Sequence, residues 1–161
     1  MFRRQGSLLI AAMLSISSVH SVRAQTCGSP IVPMMGTTTA STCDGEHIAD
    51  TFCLDRPNPG PNTVFRFVIG PPLSGHLTLI PSPPFEPVMY LMDGDAPCDS
   101  KLCLASGDTS APIALDGLAP GAYWLVIAAS PTAPVGDCGI FTLSIDASII
   151  DTIFADDFDG I

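Results

Sequence analysis

The sequence has few basic residues. Its 161 residues include 6 Lys and Arg against 16 Asp and Glu, which gives a formal net charge of −10 at pH 7. Recognition of nucleic acid depends on clustered Lys and Arg that contact phosphates. The composition therefore argues against nucleic acid as a partner, and anionic membrane surfaces are disfavoured for the same reason.

Helical periodicity is also missing. After residue 24 no stretch of helical length has apolar residues at i, i+3, i+4 and i+7, and 16 prolines disfavour long helices. Short runs instead alternate apolar and polar residues, and clusters of Gly, Pro, Asp and Ser separate them, which is typical of strands joined by turns. The candidate strands are 63–69, 76–80, 88–92, 102–106, 112–117, 121–129 and 138–146.

These strands predict an all-β fold, namely an antiparallel, jelly-roll-like β-sandwich of seven to eight strands. The connections are too short for the crossovers of a parallel sheet. Leu77 and Leu79 are expected to face the core. We expect Tyr123 to be half-buried with its hydroxyl bonded to the backbone. Trp124, on the other face of the strand, is the better candidate for an exposed aromatic side chain; the alternative is that it covers a sheet edge.

The first 24 residues predict a secretory signal peptide. Arg3 and Arg4 precede an apolar run over 8–16, and small residues favour cleavage after Ala24. The run is shorter than the roughly 20 apolar residues that cross a bilayer, so we expect no stable membrane span after cleavage. The protein is expected to be secreted, periplasmic or at the cell surface. Cleavage would leave three basic residues, for a net charge of 3 − 16 = −13.

The remaining chain divides into three parts. Residues 25–59 are rich in Cys, Pro and Thr and predict an arm with one or two short strands that packs on the domain. The breaker-rich segment 57–62 leads into the predicted sandwich over 60–146, and 147–161 is an acidic tail.

All six cysteines follow residue 24, and an even number in an exported chain predicts disulfides. A zinc site is disfavoured because no CxxC pair is present. Cys98–Cys103 is the best single expectation, since CDSKLC is a short turn-rich loop between candidate strands. The weaker expectations are Cys43–Cys53, within the arm, and Cys27–Cys138, from the arm to the last strand.

Residues suited to chemistry are sparse. There is no G-x-S-x-G nucleophile elbow and no phosphate-binding Gly-rich loop, so neither a catalytic residue nor an organic cofactor is expected. Calcium is the best metal hypothesis, because carboxylates suit a hard cation, and the candidate ligands are Asp93, Asp95 and Asp99. The alternative is that these aspartates bond to their own turns.

Three segments resemble the bacterial pre-peptidase C-terminal (PPC) type of β-sandwich domain. They are PNTVFRFVIGPPLSGHLTL, FEPVMYLMDGDAPCDSKLCLAS, and LAPGAYWLVIAAS with CGIFTLSID, in the order and spacing of that family. The resemblance covers about residues 60–146 and implies a non-catalytic accessory module of exported proteins.

The last residues, DTIFADDFDGI, are similar to the "I-F-x-D-G-F-E" ending of many secreted bacterial proteins. That similarity implies a sorting, processing or assembly tag. The alternative is a last strand or a frayed acidic tail.

Two functional hypotheses result. The first is an exported, non-catalytic binding or structural module that engages a protein or polysaccharide at the cell exterior. The second is a small secreted hydrolase, which requires a concave pocket that contains His76 or Glu86 with at least two acidic neighbours. The sequence makes no prediction of oligomeric state.

Overall fold

The computed structural model describes residues 26–70, 73–99 and 101–149. The predicted signal peptide, its cleavage point after Ala24 and the segment 150–161 lie outside these residues. One short 3₁₀ helix, Thr42–Asp44, is present in the described part. The strands are β1 (Gly36–Ser41), β2 (Thr51–Phe52), β3 (Arg56–Pro57), β4 (Thr63–Ile69), β5 (Leu73–Pro81), β6 (Pro87–Asp93), β7 (Ala105–Asp108), β8 (Ile113–Ala114), β9 (Gly121–Ala129) and β10 (Ile140–Ile149).

Two antiparallel four-stranded sheets face each other. The outer sheet has the order β1-β10-β5-β8, and the central sheet has the order β4-β9-β6-β7; β2 and β3 form a separate hairpin. Without the hairpin, the other eight described strands lie, numbered along the chain, as 1-8-3-6 and 2-7-4-5. This is the jelly-roll arrangement of two interleaved Greek keys. The predicted all-β, antiparallel, jelly-roll-like sandwich is confirmed.

The most regular candidate strands coincide with observed ones. β4 and β9 have the predicted bounds, and β5 and β6 contain the predicted segments with short extensions. The candidate at 102–106 is displaced, because β7 begins at Ala105. Residues 101–104 instead form a loop whose backbone is hydrogen-bonded to two other segments. The Leu54 N–H of the hairpin donates to Lys101 O (3.2 Å), and the Leu104 N–H donates to Leu91 O of β6 (2.8 Å).

The main core fills the space between the two sheets. Leu77 and Leu79 are 0% and 1% exposed, as predicted. The rings of Phe65 and Phe141 meet edge to face across the sheets, with centroids 6.2 Å apart. Tyr123 also belongs to this core and is 6% exposed, so it is more deeply buried than the expected half. Its hydroxyl donates to Ala119 O at 2.6 Å, so the predicted backbone bond is confirmed.

The opposite face of the central sheet is buried as well. A second apolar cluster on that face contains Tyr90, Trp124 and Val126, and Phe52 of the β2–β3 hairpin covers it. The Phe52 and Tyr90 ring centroids are 5.4 Å apart. Burial on both faces explains why 88–92 and 121–129 are almost continuously apolar.

The expectation of an exposed Trp124 is therefore wrong. The side chain is 9% exposed, and its indole N–H donates to Ala96 O at 2.9 Å. The Arg66 guanidinium lies 4.8 Å from the ring centroid and stabilises it by a cation–π contact. The face that sequence alternation assigns to solvent is covered by the arm.

The arm is part of the sandwich. Its strand β1 pairs with β10 from Gly36↔Ile145 to Ser41↔Ile140 and forms one edge of the outer sheet. Ile31 joins the edge of β4, where its N–H donates to Val64 O and its carbonyl accepts from the Arg66 N–H, both at 2.9 Å. The sandwich thus extends from Gly36 to Ile149, beyond the predicted range 60–146.

A buried amide pair holds the segment that leads from the hairpin into β4. The Nδ2 groups of Asn58 and Asn62 each donate to the other residue's Oδ1 at 3.0 Å. Asn58 also donates to Ala49 O at 2.6 Å, and Asn62 accepts from the Ile48 N–H at 3.2 Å. The turn-rich segment 57–62 is therefore a fixed part of the fold.

The disulfides differ from all three predicted pairings. The bonds are Cys27–Cys98, Cys43–Cys138 and Cys53–Cys103. Cys98–Cys103, Cys43–Cys53 and Cys27–Cys138 were expected from closeness in sequence and from chain order, and all three are wrong. Each observed bond joins one arm cysteine to one sandwich cysteine. The physical reason is the packing of the arm on the sandwich. Cys53 and Cys98 belong to the apolar cluster on the second face of the central sheet, and Cys27 and Cys103 pack against it. Cys43 follows β1, whose last residue Ser41 pairs with Ile140 of β10.

Candidate functional site

The β2–β3 hairpin turns through three consecutive residues in the left-handed region. Cys53, Leu54 and Asp55 have φ of 41°, 64° and 64°. Left-handed backbone in a residue other than glycine costs on the order of 1–3 kcal/mol and persists only where the surroundings enforce it. Here Cys53 is bonded to Cys103, and the Asp55 carboxylate pairs with Lys101 Nζ at 2.7 Å. The turn is therefore fixed against the 101–104 loop.

The turn and the 101–104 loop together place three leucine side chains in solvent. Leu54 is 87% exposed, Leu102 is 76% exposed and Leu104 is 55% exposed. All three line one depression of about 260 Å³, together with Arg56 and the Cys53–Cys103 disulfide. We call Leu54, Leu102 and Leu104 the leucine surface.

Two further depressions adjoin the leucine surface. One, of about 420 Å³, is lined by Leu102, Leu104, Asp93 and Asp95. The other, of about 380 Å³, is lined by Leu104, the same two aspartates and residues 117–123. We call these two the acidic depressions. Leu104 lines all three depressions, so it lies at the centre of the site.

Asp93 and Asp95 flank a tight turn at the end of β6. The Asp95 N–H donates to Asp93 Oδ1 at 2.9 Å. An aspartate bonded to its own turn is the alternative to a calcium ligand that was considered from the sequence. Gly94 is required between them, because its N–H donates to Ala122 O at 2.8 Å and a Cβ there would lie 2.4 Å from Ala122. Neither carboxylate forms an ion pair within the described part of the chain.

The predicted calcium ligands are not assembled into a cluster. In ranges 26–70, 73–99 and 101–149, no group of three or more His, Cys, Asp or Glu is placed to hold a metal ion. Asp93 and Asp95 share the acidic depressions, and Asp99 does not line them. Calcium binding at Asp93, Asp95 and Asp99 stays a prediction.

The side chains suggested for hydrolysis lie apart. His76 is exposed on the outer sheet, in register with Asp146, whereas Glu86 lines a depression of about 270 Å³ that contains one other acidic residue, Asp108. The Ser110 hydroxyl and N–H both donate to Asp108 Oδ1 at 2.7 Å and hold the pKa of Asp108 below its ordinary value. This favours a carboxylate rather than a proton donor. Among the described residues that line this depression, Glu86 has one acidic neighbour rather than the two that the hydrolase hypothesis requires.

Behind the leucine surface lies a buried hydroxyl. Tyr90 is 1% exposed, and its hydroxyl has no hydrogen-bond partner among the described residues. Burial raises the pKa of Tyr90 above its ordinary value, and the positive charge of Arg56 partly offsets this rise. Sequence alternation did not single out Tyr90, since nothing local shows that both faces of β6 are covered.

Comparison with known proteins gives similarities of fold. No family profile and no curated protein matches the sequence. The pre-peptidase C-terminal domain of a Bacillus anthracis collagenase matches with a TM-score of 0.44 and 14% identity, over 70% of this chain and 90% of that one. In fold, the chain is similar to a PPC domain, the type that its sequence resembles.

A second solved structure is similar to a comparable extent. The Aeromonas hydrophila protein PliG, a periplasmic inhibitor of g-type lysozyme, matches with a TM-score of 0.49 and 10% identity. The match covers 74% of this chain and 94% of that one. At these identities neither similarity indicates a ligand for this chain. None of the helices in the described ranges is long and apolar enough to cross a membrane.

Proposed function

We propose that this chain is an exported, non-catalytic module that binds a protein partner through the leucine surface. The observation that carries the proposal is the left-handed turn Cys53–Asp55, which holds Leu54 at 87% exposure. A turn needed only to reverse the chain is made at lower cost with Gly or Asn. Strained backbone that displays an apolar side chain is typical of a contact site.

Export is supported by the disulfides and by the predicted leader. All six cysteines are paired, and such bonds persist in oxidising compartments outside the cytoplasm. The fold depends on them, because they attach the arm that covers the central sheet. A module of this kind is suited to the periplasm, the cell surface or the medium.

A protein fits the exposed side chains better than a polysaccharide does. Large exposed apolar side chains in the described part of the chain are all aliphatic or Met, and no aromatic ring is among them. Amphipathic aromatic rings at a surface offer an apolar face and a polar tip, but here Trp124 and Tyr90 are buried. Exposed aliphatic side chains grouped at a fixed turn instead favour burial in a protein interface.

Site-specific photo-cross-linking in the producing cells tests the proposal. A photoreactive amino acid is placed at position 54 or 104, and at Val135 or Ile80 as controls, which are 95% and 53% exposed. Val135 lies beyond Ala129, the last residue of β9, whereas the start of β9 lines an acidic depression. Ile80 lies on the outer sheet, near the end of β5. We expect one defined protein adduct from positions 54 and 104 and none from the controls. Equal labelling at all four positions, or none at any, would contradict the proposal.

A further inference from the structure

The charge around the leucine surface is unevenly distributed. On one side, the Asp55 carboxylate is neutralised by Lys101 at 2.7 Å, and Arg56 lines the depression that holds all three leucines. On the other side, Asp93 and Asp95 line both acidic depressions, and neither depression is lined by a Lys or Arg of the described ranges.

The carboxylates of Asp93 and Asp95 are accessible to a ligand. Each is exposed, and neither is ion-paired within the ranges that the structure describes. In the turn, the Asp95 N–H donates to Asp93 Oδ1. This bond does not use the Asp95 carboxylate, which accepts no hydrogen bond from the residues described. Leu104 lines both acidic depressions, so apolar and anionic groups share the same walls.

We infer that the partner is a cationic protein with an aliphatic cleft. This inference rests on the proposed function and specifies its partner. The cleft receives Leu54 and Leu104, and Lys or Arg side chains beside it enter the acidic depressions and meet Asp93 and Asp95. The apolar contact contributes most of the affinity, while complementary charge sets the orientation and accelerates association.

Charge also disfavours a second copy of this chain as the occupant. The full sequence has a net charge of −10, and two copies docked through these surfaces would bring their Asp93 and Asp95 side chains together. Like charges at an interface cost affinity and act against the wrong partner. A cationic protein gains from the same field, because long-range attraction raises its rate of encounter.

Three model peptides and the exported, oxidised protein provide the first test. One peptide alternates Leu with Lys, a second replaces Lys by Glu, and a third replaces Leu by Ser. Binding is followed by fluorescence anisotropy at low and at physiological salt. We expect the Leu–Lys peptide to bind, more weakly at the higher salt, and the other two to bind much more weakly.

Two matched pairs of substitutions locate the effect. Asp93→Asn with Asp95→Asn removes the charge of the acidic depressions, and Asp44→Asn with Asp146→Asn removes the same charge from exposed positions elsewhere. We expect the first pair to weaken binding of the Leu–Lys peptide roughly tenfold and the control pair much less. Unchanged melting temperatures show that both variants are folded.

The outcomes separate this inference from the proposed function. Equal weakening by both pairs, or equal binding of the Ser-containing peptide, shows attraction by overall charge and overturns the inference. If the protein cross-linked at position 54 binds without dependence on salt or on Asp93 and Asp95, the inference fails while the proposed function stands. A cross-linked second copy of the chain overturns the inference in favour of self-association.

Discussion

Cys53, in a left-handed turn, is bonded to Cys103, 50 residues later in the chain. The bond joins the hairpin tip to the loop that carries Leu102 and Leu104, so a single covalent link holds the parts of the leucine surface together. The same link attaches the layer that covers the second face of the central sheet.

Removal of this bond is expected to affect stability and docking together. Replacing Cys53 and Cys103 by Ser should lower the free energy of unfolding by roughly 3–4 kcal/mol, because the bond closes a long loop. Urea unfolding measures this loss. Cys27→Ser with Cys98→Ser is the matched control: it should cost a similar amount but retain the Leu54 turn. Cross-linking from position 54 should decline in the first variant and persist in the second. Loss of cross-linking in both variants would mean that partner binding does not depend specifically on the Leu54 turn.

Leu54→Gly should separate stability from binding. Glycine adopts a φ of 64° without steric cost, so the substitution should raise the free energy of unfolding by up to about 1 kcal/mol. The same change removes the exposed side chain and should abolish the cross-linked adduct formed from position 104. As a control, Val135→Gly should slightly destabilise the protein, since φ at Val135 is not positive. A destabilised Leu54→Gly protein would show that the turn is not strained.

Tyr90→Phe and Tyr123→Phe should change stability in opposite directions. The first removes a buried hydroxyl that has no hydrogen-bond partner among the described residues and should stabilise the protein by about 1 kcal/mol. The second removes the bond to Ala119 O and should destabilise it by about 1 kcal/mol. Thermal unfolding of the two single variants is the direct comparison. Destabilisation by Tyr90→Phe would indicate a hydrogen bond that the structure lacks.

Tyr90 should also contribute to loss of stability at alkaline pH. Because burial raises the pKa of Tyr90 in the folded state, the unfolded chain releases this proton at lower pH than the folded protein does. The contribution is fully present below the ordinary value of 10.0 and is lost as pH rises through and above it. Tyr90→Phe should therefore flatten the decline in melting temperature above that pH. An unchanged decline in melting temperature would contradict the contribution of Tyr90 to the loss of stability at alkaline pH.

The amide pair of Asn58 and Asn62 should be essential to the arm. Asn62→Ala removes the acceptor of the Ile48 N–H, one of the two acceptors of Asn58 Nδ2, and the donor to Asn58 Oδ1, which should cost about 2–4 kcal/mol. Asn58→Ala should cost a similar amount, and a double-mutant cycle should show strong coupling. Additive effects would indicate that the two side chains act separately.

Calcium binding predicts a dependence on chelator. If calcium binds at Asp93 and Asp95, its removal by a chelator should lower the melting temperature, and Asp93→Asn should abolish that difference. Coincident melting curves of the chelated and the calcium-loaded protein would rule the site out. A clear separation of the two melting curves would establish the calcium site.

Local alternation predicted much of the sandwich. The bounds of β4 and β9, the inward positions of Leu77 and Leu79, and the backbone bond of Tyr123 all follow from residues close together in the chain. These features depend on the period of a strand and on turn chemistry, which a short segment encodes by itself. The expected jelly-roll arrangement follows from the number and spacing of such segments.

The candidate site depends on contacts between distant segments. Trp124 alternates as if exposed, yet it is buried because the arm crosses its face of the sheet. Leu54, Leu102 and Leu104 are ordinary leucines in sequence, and they form one surface only because Cys53 reaches Cys103.

The sequence by itself determined the most regular strands, the acidity and the presence of six cysteines, since each is a property of composition or of a local period. Tertiary structure alone decided which cysteines are bonded, which face of the central sheet is covered and which leucines remain in solvent. The physical reason is that these outcomes depend on the path of the arm across the sheet, and no local pattern records a distance between segments 50 to 95 residues apart.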